Sequence, residues 1–306
     1  MSRRKEKIMK TGVIRDCRED KILYTAVTAV LVIFIMVVAY PLIYVISSSF
    51  SSGTAVSTGR VVLWPVDFSL EGYKAVFSHR LIVSGYRNTI FYTAAGTFIN
   101  VIVTVMCAYP LARKDFPMRR FFTIFFVITM FFSGGMIPTY MVVAKLKLTN
   151  TIWAMLLPGA ISVYNMILVR TFIKNSIPEE LLEVSKIDGC SDAKYFFFIL
   201  LQLSKPVIAV ITLYYAVGHW NSYFSAMMYL SDEELYPLQI VLRQVLLANS
   251  INISDMVDVK LMTAKRGLAD VLKYSMIVVS TAPILCIYPF IQRYFVKGVM
   301  IGSVKG

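Results

Sequence analysis

Residues 176–206 read SIPEELLEVSKIDGCSDAKYFFFILLQLSKP, a charged segment between two long apolar runs. Ser176, followed three residues later by Glu179, predicts a capping box at the start of a helix. Gly189 is placed to end that helix after about three turns, because glycine readily adopts the left-handed conformation found at helix C-termini. Ser191 can then cap a second helix. The segment is therefore predicted to fold as a helix, a glycine turn and a second helix.

The first of these predicted helices has two chemically different faces. Ile177, Leu181 and Val184 recur at helical spacing on one side. We expect this apolar side to pack against the rest of the protein, and the opposite side to be available to a partner. The charged residues that recur on that opposite side are Glu179, Glu183 and Lys186.

The composition of the chain indicates a membrane protein. Of its 306 residues 57% are hydrophobic, and the mean hydropathy is +0.66, whereas about half of the residues of a soluble domain are apolar. A helix of about 20 apolar residues can cross the roughly 30 Å hydrocarbon core of a bilayer. The first such run is too long to be a cleaved signal peptide. Six runs meet this length: 22–47, 88–112, 121–145, 151–169, 207–230 and 274–291.

These runs predict an all-α membrane protein with six transmembrane helices in one domain at 22–306, preceded by a tail at 1–21. If the N-terminus lies inside the cell, twenty of the thirty-one Lys and Arg residues fall in inner segments. Cytoplasmic loops carry such an excess, so both termini and the segment 176–206 are predicted to be cytoplasmic. The net charge of +13 is then a consequence of topology, which argues against nucleic-acid binding.

The pattern Glu183-Val184-Ser185 followed by Asp188-Gly189 resembles the EAA loop of ABC importer permeases. The likeness is greatest to the carbohydrate importer permeases related to MalG and LplC, and it covers residues 22–306. Two departures from the family pattern are Val184 and Ser185 in place of paired alanines, and Gln202 in place of the usual proline. The second departure predicts a straighter exit from the loop. Supporting segments are 132–140 (FSGGMIPTY), 218–223 (GHWNSY), 236–239 (YPLQ) and the tail 292–306.

The resemblance implies a type I-like ABC importer permease fold with a cytoplasmic coupling helix, working in the cell membrane. It also implies the partners: a second homologous permease, two ATPase subunits and an extracytoplasmic solute-binding protein that delivers a carbohydrate. The chain has no G-x-x-x-x-G-K-[ST] loop, so ATP and Mg²⁺ are expected in the ATPase partners, and the chain itself is expected to be neither an enzyme nor a cofactor-binding protein. Its four cysteines match no metal spacing. The residues expected to contact the ATPase are Glu179, Glu180, Glu183, Lys186, Asp188 and Gly189.

The fifth apolar run is the best candidate for a substrate path, because aromatic rings and hydrogen-bonding groups crowd into a few helical turns there. Sugars pack their C–H faces on aromatic rings and bind amide, phenol or imidazole groups through their hydroxyls. The same residues could instead form an interfacial aromatic belt or pack between helices. The candidates in this run are Tyr215, His219, Trp220, Asn221 and Tyr223, and Asn165 in the fourth run is a further one.

The six runs contain no Asp, Glu, Lys or Arg in their cores. Transporters driven by ions or protons usually carry such groups along the pathway, so the energy is expected to come from a partner. The absence of basic residues also favours a neutral ligand. An ion-gradient-driven secondary transporter or a channel is the alternative function.

Overall fold

The computed structural model describes residues 18–78, 80–254 and 259–300. Most of the predicted tail at 1–21 lies outside these residues, and so does part of the tail segment 292–306. The described ranges contain helices and no strand, which confirms the all-α prediction. The helices are α1 (Arg18–Ser49), α2 (Gly53–Ser57), α3 (Glu71–Ser78), α4 (Arg80–Ala112), α5 (Arg119–Phe131), α6 (Met136–Lys145), α7 (Trp153–Leu156), α8 (Val163–Ser176), α9 (Glu180–Ile187), α10 (Asp192–Tyr195), α11 (Leu201–Leu203), α12 (Lys205–Trp220), α13 (Tyr223–Tyr229), α14 (Leu238–Ser254) and α15 (Val259–Met300).

Three described helical stretches are long and apolar enough to cross a membrane: Glu19–Ser49, Arg80–Ala112 and Gly267–Ile287. Two further spans are possible by length and composition if bent helix pairs are counted, because α5 and α6 meet at 112° and the helical stretch Asp192–Leu203 meets α12 at 79°. The predicted number of six spans stays a prediction.

The predicted run at 151–169 is not one helix in the structure. It holds the single turn α7 and the first half of α8, which continues to Ser176. Pro158 and Gly159 lie between them, and Gly159 has a φ of +76°. Proline removes a helical hydrogen bond and glycine adopts the left-handed conformation easily, so the helix is interrupted although the run is apolar.

Helix α4 is the centre of the molecule, because it contributes to both large apolar clusters. Towards its N-terminal end, Ile82 and Tyr92 pack with residues of α14 and α15 such as Val241 and Met276. Towards its C-terminal end, Ala108 and Leu111 join a second cluster. That second cluster also contains Met166, Val169 and Ile173 of α8, Tyr195 and Leu200 of the segment 176–206, and Ile211 and Tyr215 of α12.

Helices α2 and α15 approach each other through two glycines. A Cβ atom built on Gly267 would lie 2.5 Å from the carbonyl oxygen of Gly53, and one built on Gly53 would lie 2.7 Å from the carbonyl carbon of Gly267. Because the obstacle on each side is backbone, no side-chain rotation can relieve the overlap.

We expect Gly267→Ala to lower the free energy of unfolding by about 1–3 kcal/mol, since the two backbones must separate to admit a methyl group. The measurement is the thermal unfolding midpoint of the detergent-solubilised protein. Gly218→Ala is the control, because a Cβ atom at Gly218, also in a helix, meets nothing within 4 Å. Equal midpoints for the two variants would contradict the close backbone contact.

Candidate functional site

The segment 176–206 forms the predicted helix, turn and helix, but its first helix begins differently from the prediction. The capping box is wrong, because Ser176 is still the last residue of α8 and the N–H of Ile177 donates to the carbonyl of Ile173 at 3.2 Å. Residue Glu179 precedes α9 without accepting a side-chain cap bond. Helix α9 therefore has only eight residues, about two turns rather than the three predicted.

The turn after α9 agrees with the sequence prediction. Gly189 has a φ of +73°, and its N–H donates to the carbonyl of Lys186 at 3.1 Å. The next N–H, of Cys190, donates to the carbonyl of Ser185 at 2.8 Å, which satisfies another free carbonyl at the helix end. Ser191 then accepts a hydrogen bond from the N–H of Lys194 at 3.3 Å, which confirms it as the cap of the second helix.

The exit from the segment is bent, and the prediction that it is straighter than in the family stays a prediction. The chain passes through a π-helical turn at Phe196–Leu200 and then turns by 79° at Ser204. Pro206 explains the break, because it has no N–H to donate to the carbonyl of Gln202 four residues earlier. The bend thus lies two residues after the position where the family usually has its proline.

The faces of α9 are also oriented differently from the prediction. Ser185 is buried and Leu182 packs against the cluster around α8, so these two residues form the inner side. Leu181, Val184 and Ile187 are instead exposed, by 39%, 55% and 84%. Ile177, which precedes α9, is buried as expected. An exposed apolar ridge on a charged helix is typical of a protein interaction site.

Charged side chains surround this ridge. Glu179 pairs with Lys114 at 2.5 Å, and Lys186 lies 3.8 Å from Asp115. Both pairs are substantially exposed, so each contributes little stability by itself. Glu180, Glu183 and Asp188 are exposed and form no ion pair within the described part of the chain.

Arg113, directly after α4, is the most buried member of the charged group. Its side chain is 15% exposed and donates to Asp115 at 2.8 Å and to Asp192 at 2.8 Å. The hydrogen bond from Arg113 lowers the pKa of Asp115 to about 2, and the charge of the guanidinium acts in the same direction. The Glu179 carboxylate raises the pKa of Lys114 by its hydrogen bond and its charge. These groups therefore remain ionised at any physiological pH.

A second candidate site is a cavity of about 320 Å³ between α4, α7, α12 and α13. His219 reaches from α12 to α4, where its Nε2 lies 3.2 Å from the Nδ2 of Asn100. The imidazole occupies the space above Gly96, where any Cβ atom would overlap the ring. The residues that line the cavity are Asn100, Met155, Pro158, Gly159, Tyr214, Tyr215, Gly218, His219, Asn221, Ser222, Phe224 and Ser225.

Two polar atoms at this cavity lack a hydrogen-bond partner among the described residues, namely the Oδ1 of Asn100 and the Oγ of Ser222. Asn100 is only 3% exposed. Buried polar atoms are almost always paired, so an unpaired amide oxygen at a cavity is well placed to bind a ligand that donates hydrogen bonds. Sequence analysis missed Asn100, although the spacing of Thr97, Asn100 and Thr104 places three polar residues on one face of an apolar helix.

The structure separates the predicted substrate-path residues into two groups. His219, Tyr215 and Asn221 line the cavity. The hydroxyl of Tyr215 is 2.7 Å from that of Thr104 and accepts from the N–H of Ser162 at 2.9 Å, so it also joins three helices. The amide of Asn221, the residue after α12, donates to the carbonyl of Val217 in that helix at 2.9 Å.

The other three predicted residues do not line the cavity. Trp220 is buried and its Nε1 donates to the carbonyl of Ser280 in α15 at 3.0 Å, a helix-packing contact. Tyr223 lies beneath Arg243, whose guanidinium carbon is 5.1 Å from the ring centre. Asn165 is buried in the first turn of α8. No group of three His, Cys, Asp or Glu side chains that could hold a metal occurs among the residues described.

Residues 82–301 match the family described as binding-protein-dependent transport system inner membrane component. The chain belongs to this family. The permease is 41% identical over 276 residues to the polygalacturonan/rhamnogalacturonan transport system permease protein YtcP of Bacillus subtilis, covering 90% of this chain and 96% of YtcP. It is 41% identical over 267 residues to Protein LplC of the same organism, covering 87% and 89%.

A solved structure supports the same fold for the permease. One chain in the crystal structure of a bacterial ABC transporter involved in the import of the acidic polysaccharide alginate is 34% identical and superposes with a TM-score of 0.82. The alignment covers 92% of this permease and 99% of that chain. The type I-like permease fold expected from the sequence is therefore confirmed, and membership in this family makes the chain a non-catalytic membrane subunit of an ABC transporter.

Proposed function

We propose that this permease is the transmembrane subunit of an ATP-driven importer of oligosaccharides that an extracytoplasmic binding protein delivers. The observation that carries the proposal is helix α9, which presents Leu181, Val184 and Ile187 to solvent from a short helix outside the apolar spans. An exposed apolar ridge with charged neighbours is the kind of surface that binds a partner protein.

In this proposal, the exposed ridge of α9 inserts into the ATPase subunit and its charged rim orients the contact. Glu179, Glu180, Glu183, Lys186 and Asp188 belong to that rim, and Gly189 ends the helix that carries it. Closure of two ATPase subunits on ATP would then move α9, and through it the spans, from an inward-open to an outward-open arrangement. The chain binds neither ATP nor Mg²⁺ itself; its partners supply both.

The cavity next to His219 is proposed as this subunit's contribution to the sugar path. Tyr214 and Phe224 supply aromatic surface, while Asn100, His219 and Asn221 supply amide and imidazole groups for hydroxyls. YtcP and the alginate importer are named for acidic polysaccharides, whereas the lining described here has no Lys or Arg. We therefore propose that this cavity recognises hydroxyl groups, whether or not the sugar carries carboxylates.

The proposed assembly contains a second, homologous permease, two ATPase subunits and the binding protein, with both termini of this chain in the cytoplasm. The distribution of Lys and Arg supports that orientation. The apolar helix α1, which is exposed over most of its length, leaves room for lipid and for the second permease.

The test is purification of the chain in mild detergent, followed by reconstitution of the whole complex in proteoliposomes. We expect an ATPase, a second permease and a binding protein to co-purify, and labelled oligogalacturonide or a neutral oligosaccharide to be taken up only with ATP. Collapsing the ion gradients should leave uptake unchanged. Uptake that continues without nucleotide would contradict the proposal and favour a secondary transporter or channel.

A further inference from the structure

Helix α9 is attached to the rest of the chain in an unusual way. It makes no extensive helix-to-helix contact within the described ranges. A cavity of about 260 Å³ lies between it and the C-terminal end of α4, lined by apolar groups such as Leu182 and Ala112 and by the charged residues at its rim. Besides the covalent connections and the packing of Leu182 against the apolar cluster, charged side chains that cross the edge of this cavity join α9 to the loop after α4.

Four of these side chains are connected through ion pairs, namely Arg113, Asp115, Lys186 and Asp192, and Lys114 forms a separate pair with Glu179 beside them. We call the six residues together the Arg113 ion cluster. Lys114 and Asp115 each contact α9 or the residue preceding it, through Glu179 and Lys186. Arg113 connects Asp115 to Asp192 at the start of α10. The loop after α4 is thus joined to both ends of the turn that contains Gly189.

Arginines of neighbouring helices hold the end of α4 and the loop that follows it. The guanidinium of Arg170 in α8 donates to the carbonyl of Leu111 at 2.9 Å, and Arg119 of α5 donates to the carbonyl of Arg113 at 3.2 Å. Positive groups at a helix C-terminus satisfy its free carbonyls and stabilise the helix dipole. Arg113 also donates to the hydroxyl of Tyr109, one turn earlier in the chain, at 3.1 Å. The side chain of Arg113 is therefore attached to the last turns of α4 through Tyr109.

We propose that the Arg113 ion cluster makes α4 a second connection between the ATPase surface and the substrate cavity. Helix α4 is continuous from Arg80 to Ala112, and Asn100 lies thirteen residues before Arg113, about 20 Å along the helix axis. Movement of α9 is transmitted through Lys186 and Asp115 to Arg113, and along α4 to Asn100. Arg113 acts as a positioning residue, since it contacts neither the proposed ATPase surface nor the cavity.

This inference rests on the proposed function, and the test uses the reconstituted complex. In Arg113→Gln, Asp115 and Asp192 lose their partner but remain 53% and 59% exposed, so no unpaired charge is buried and the fold is expected to survive. We expect ATPase co-purification and basal ATP hydrolysis to stay at the level of the unaltered protein. The amount of sugar taken up per ATP hydrolysed should fall about tenfold. This change lies within the range of fold-changes that typical coupling free energies produce.

Two further variants separate coupling from stability. Arg80→Gln removes the exposed Arg80–Glu234 ion pair, 2.6 Å long, at the opposite end of the same helix, and should leave uptake per ATP unchanged. Lys114→Glu should lower uptake per ATP, because it replaces the attraction between Lys114 and Glu179 with repulsion between the loop after α4 and the residue that precedes α9. A parallel loss of uptake and hydrolysis in Arg113→Gln, or unchanged uptake per ATP, would overturn the inference. An unaltered chain that captures no ATPase would instead contradict the proposed function and the inference with it.

Discussion

Gly189→Val is expected to detach the ATPase subunits from the complex while the spans remain inserted. The backbone at Gly189 has a φ of +73°, a conformation that costs a β-branched residue about 1–3 kcal/mol. The chain can avoid this cost by unwinding the last turn of α9, which would shift Val184, Ile187 and the charged rim. The measurement is the amount of ATPase that co-purifies with the variant. We expect that amount to fall at least about tenfold, which corresponds to a modest part of the binding free energy of an interface.

Gly59→Val is a closely matched control for this experiment. Gly59 has a φ of +70°, its N–H donates to a carbonyl three residues earlier at 3.0 Å, and a Cβ atom would meet nothing within 4 Å, as at Gly189. The two variants therefore introduce the same backbone strain at different places. ATPase recovery should be normal for Gly59→Val. Equal recovery for both variants would show that the turn at Gly189 does not position the ATPase surface.

The local chemistry of the segment 176–206 could be predicted where a residue acts on its own neighbours. Gly189 ends α9 and Ser191 caps α10, because both roles depend on backbone geometry within four residues. The capping box failed because Ser176 had a competing role as the end of α8, and a single sequence gives no means of ranking the two.

The orientation of α9 could not be predicted from its spacing. Periodicity showed that Leu181 and Val184 share a face, but the direction of that face depends on Leu182 packing against the cluster of α8. The ion pair between Arg113 and Asp192 could not be predicted either, because the two residues are 79 positions apart along the chain. Only the fold brings the loop after α4 to the start of α10.

For the substrate path as well, the sequence predicted which types of residue are present but not the direction in which each side chain points. The sequence predicted a substrate path at the aromatic and hydrogen-bonding residues of 215–223, and three of the predicted residues do line the cavity. Trp220 differs from its neighbour His219 by one position, which on a helix is a rotation of about 100°. That rotation directs Trp220 to the carbonyl of Ser280 in α15, while His219 faces Asn100 in α4.

Asn100→Leu and Trp220→Phe are expected to separate sugar recognition from helix packing. Asn100→Leu removes the unpaired Oδ1 at the cavity and replaces it with an apolar group of similar size. A sugar hydroxyl that loses its partner in a desolvated site costs about 1–3 kcal/mol, so the KM for uptake should rise about tenfold or more. Basal ATP hydrolysis should not change, because the ATPase surface is untouched.

Trp220→Phe should give the opposite result. The indole N–H that donates to Ser280 is lost and the buried space around it is left partly empty, which should lower the free energy of unfolding by about 1–3 kcal/mol. Its KM for uptake should stay unchanged because Trp220 does not line the cavity. The measurements are the KM for uptake in proteoliposomes and the thermal unfolding midpoint, made on both variants. A raised KM in Trp220→Phe with an unchanged KM in Asn100→Leu would reverse the assignment and place the sugar on the α15 side of α12.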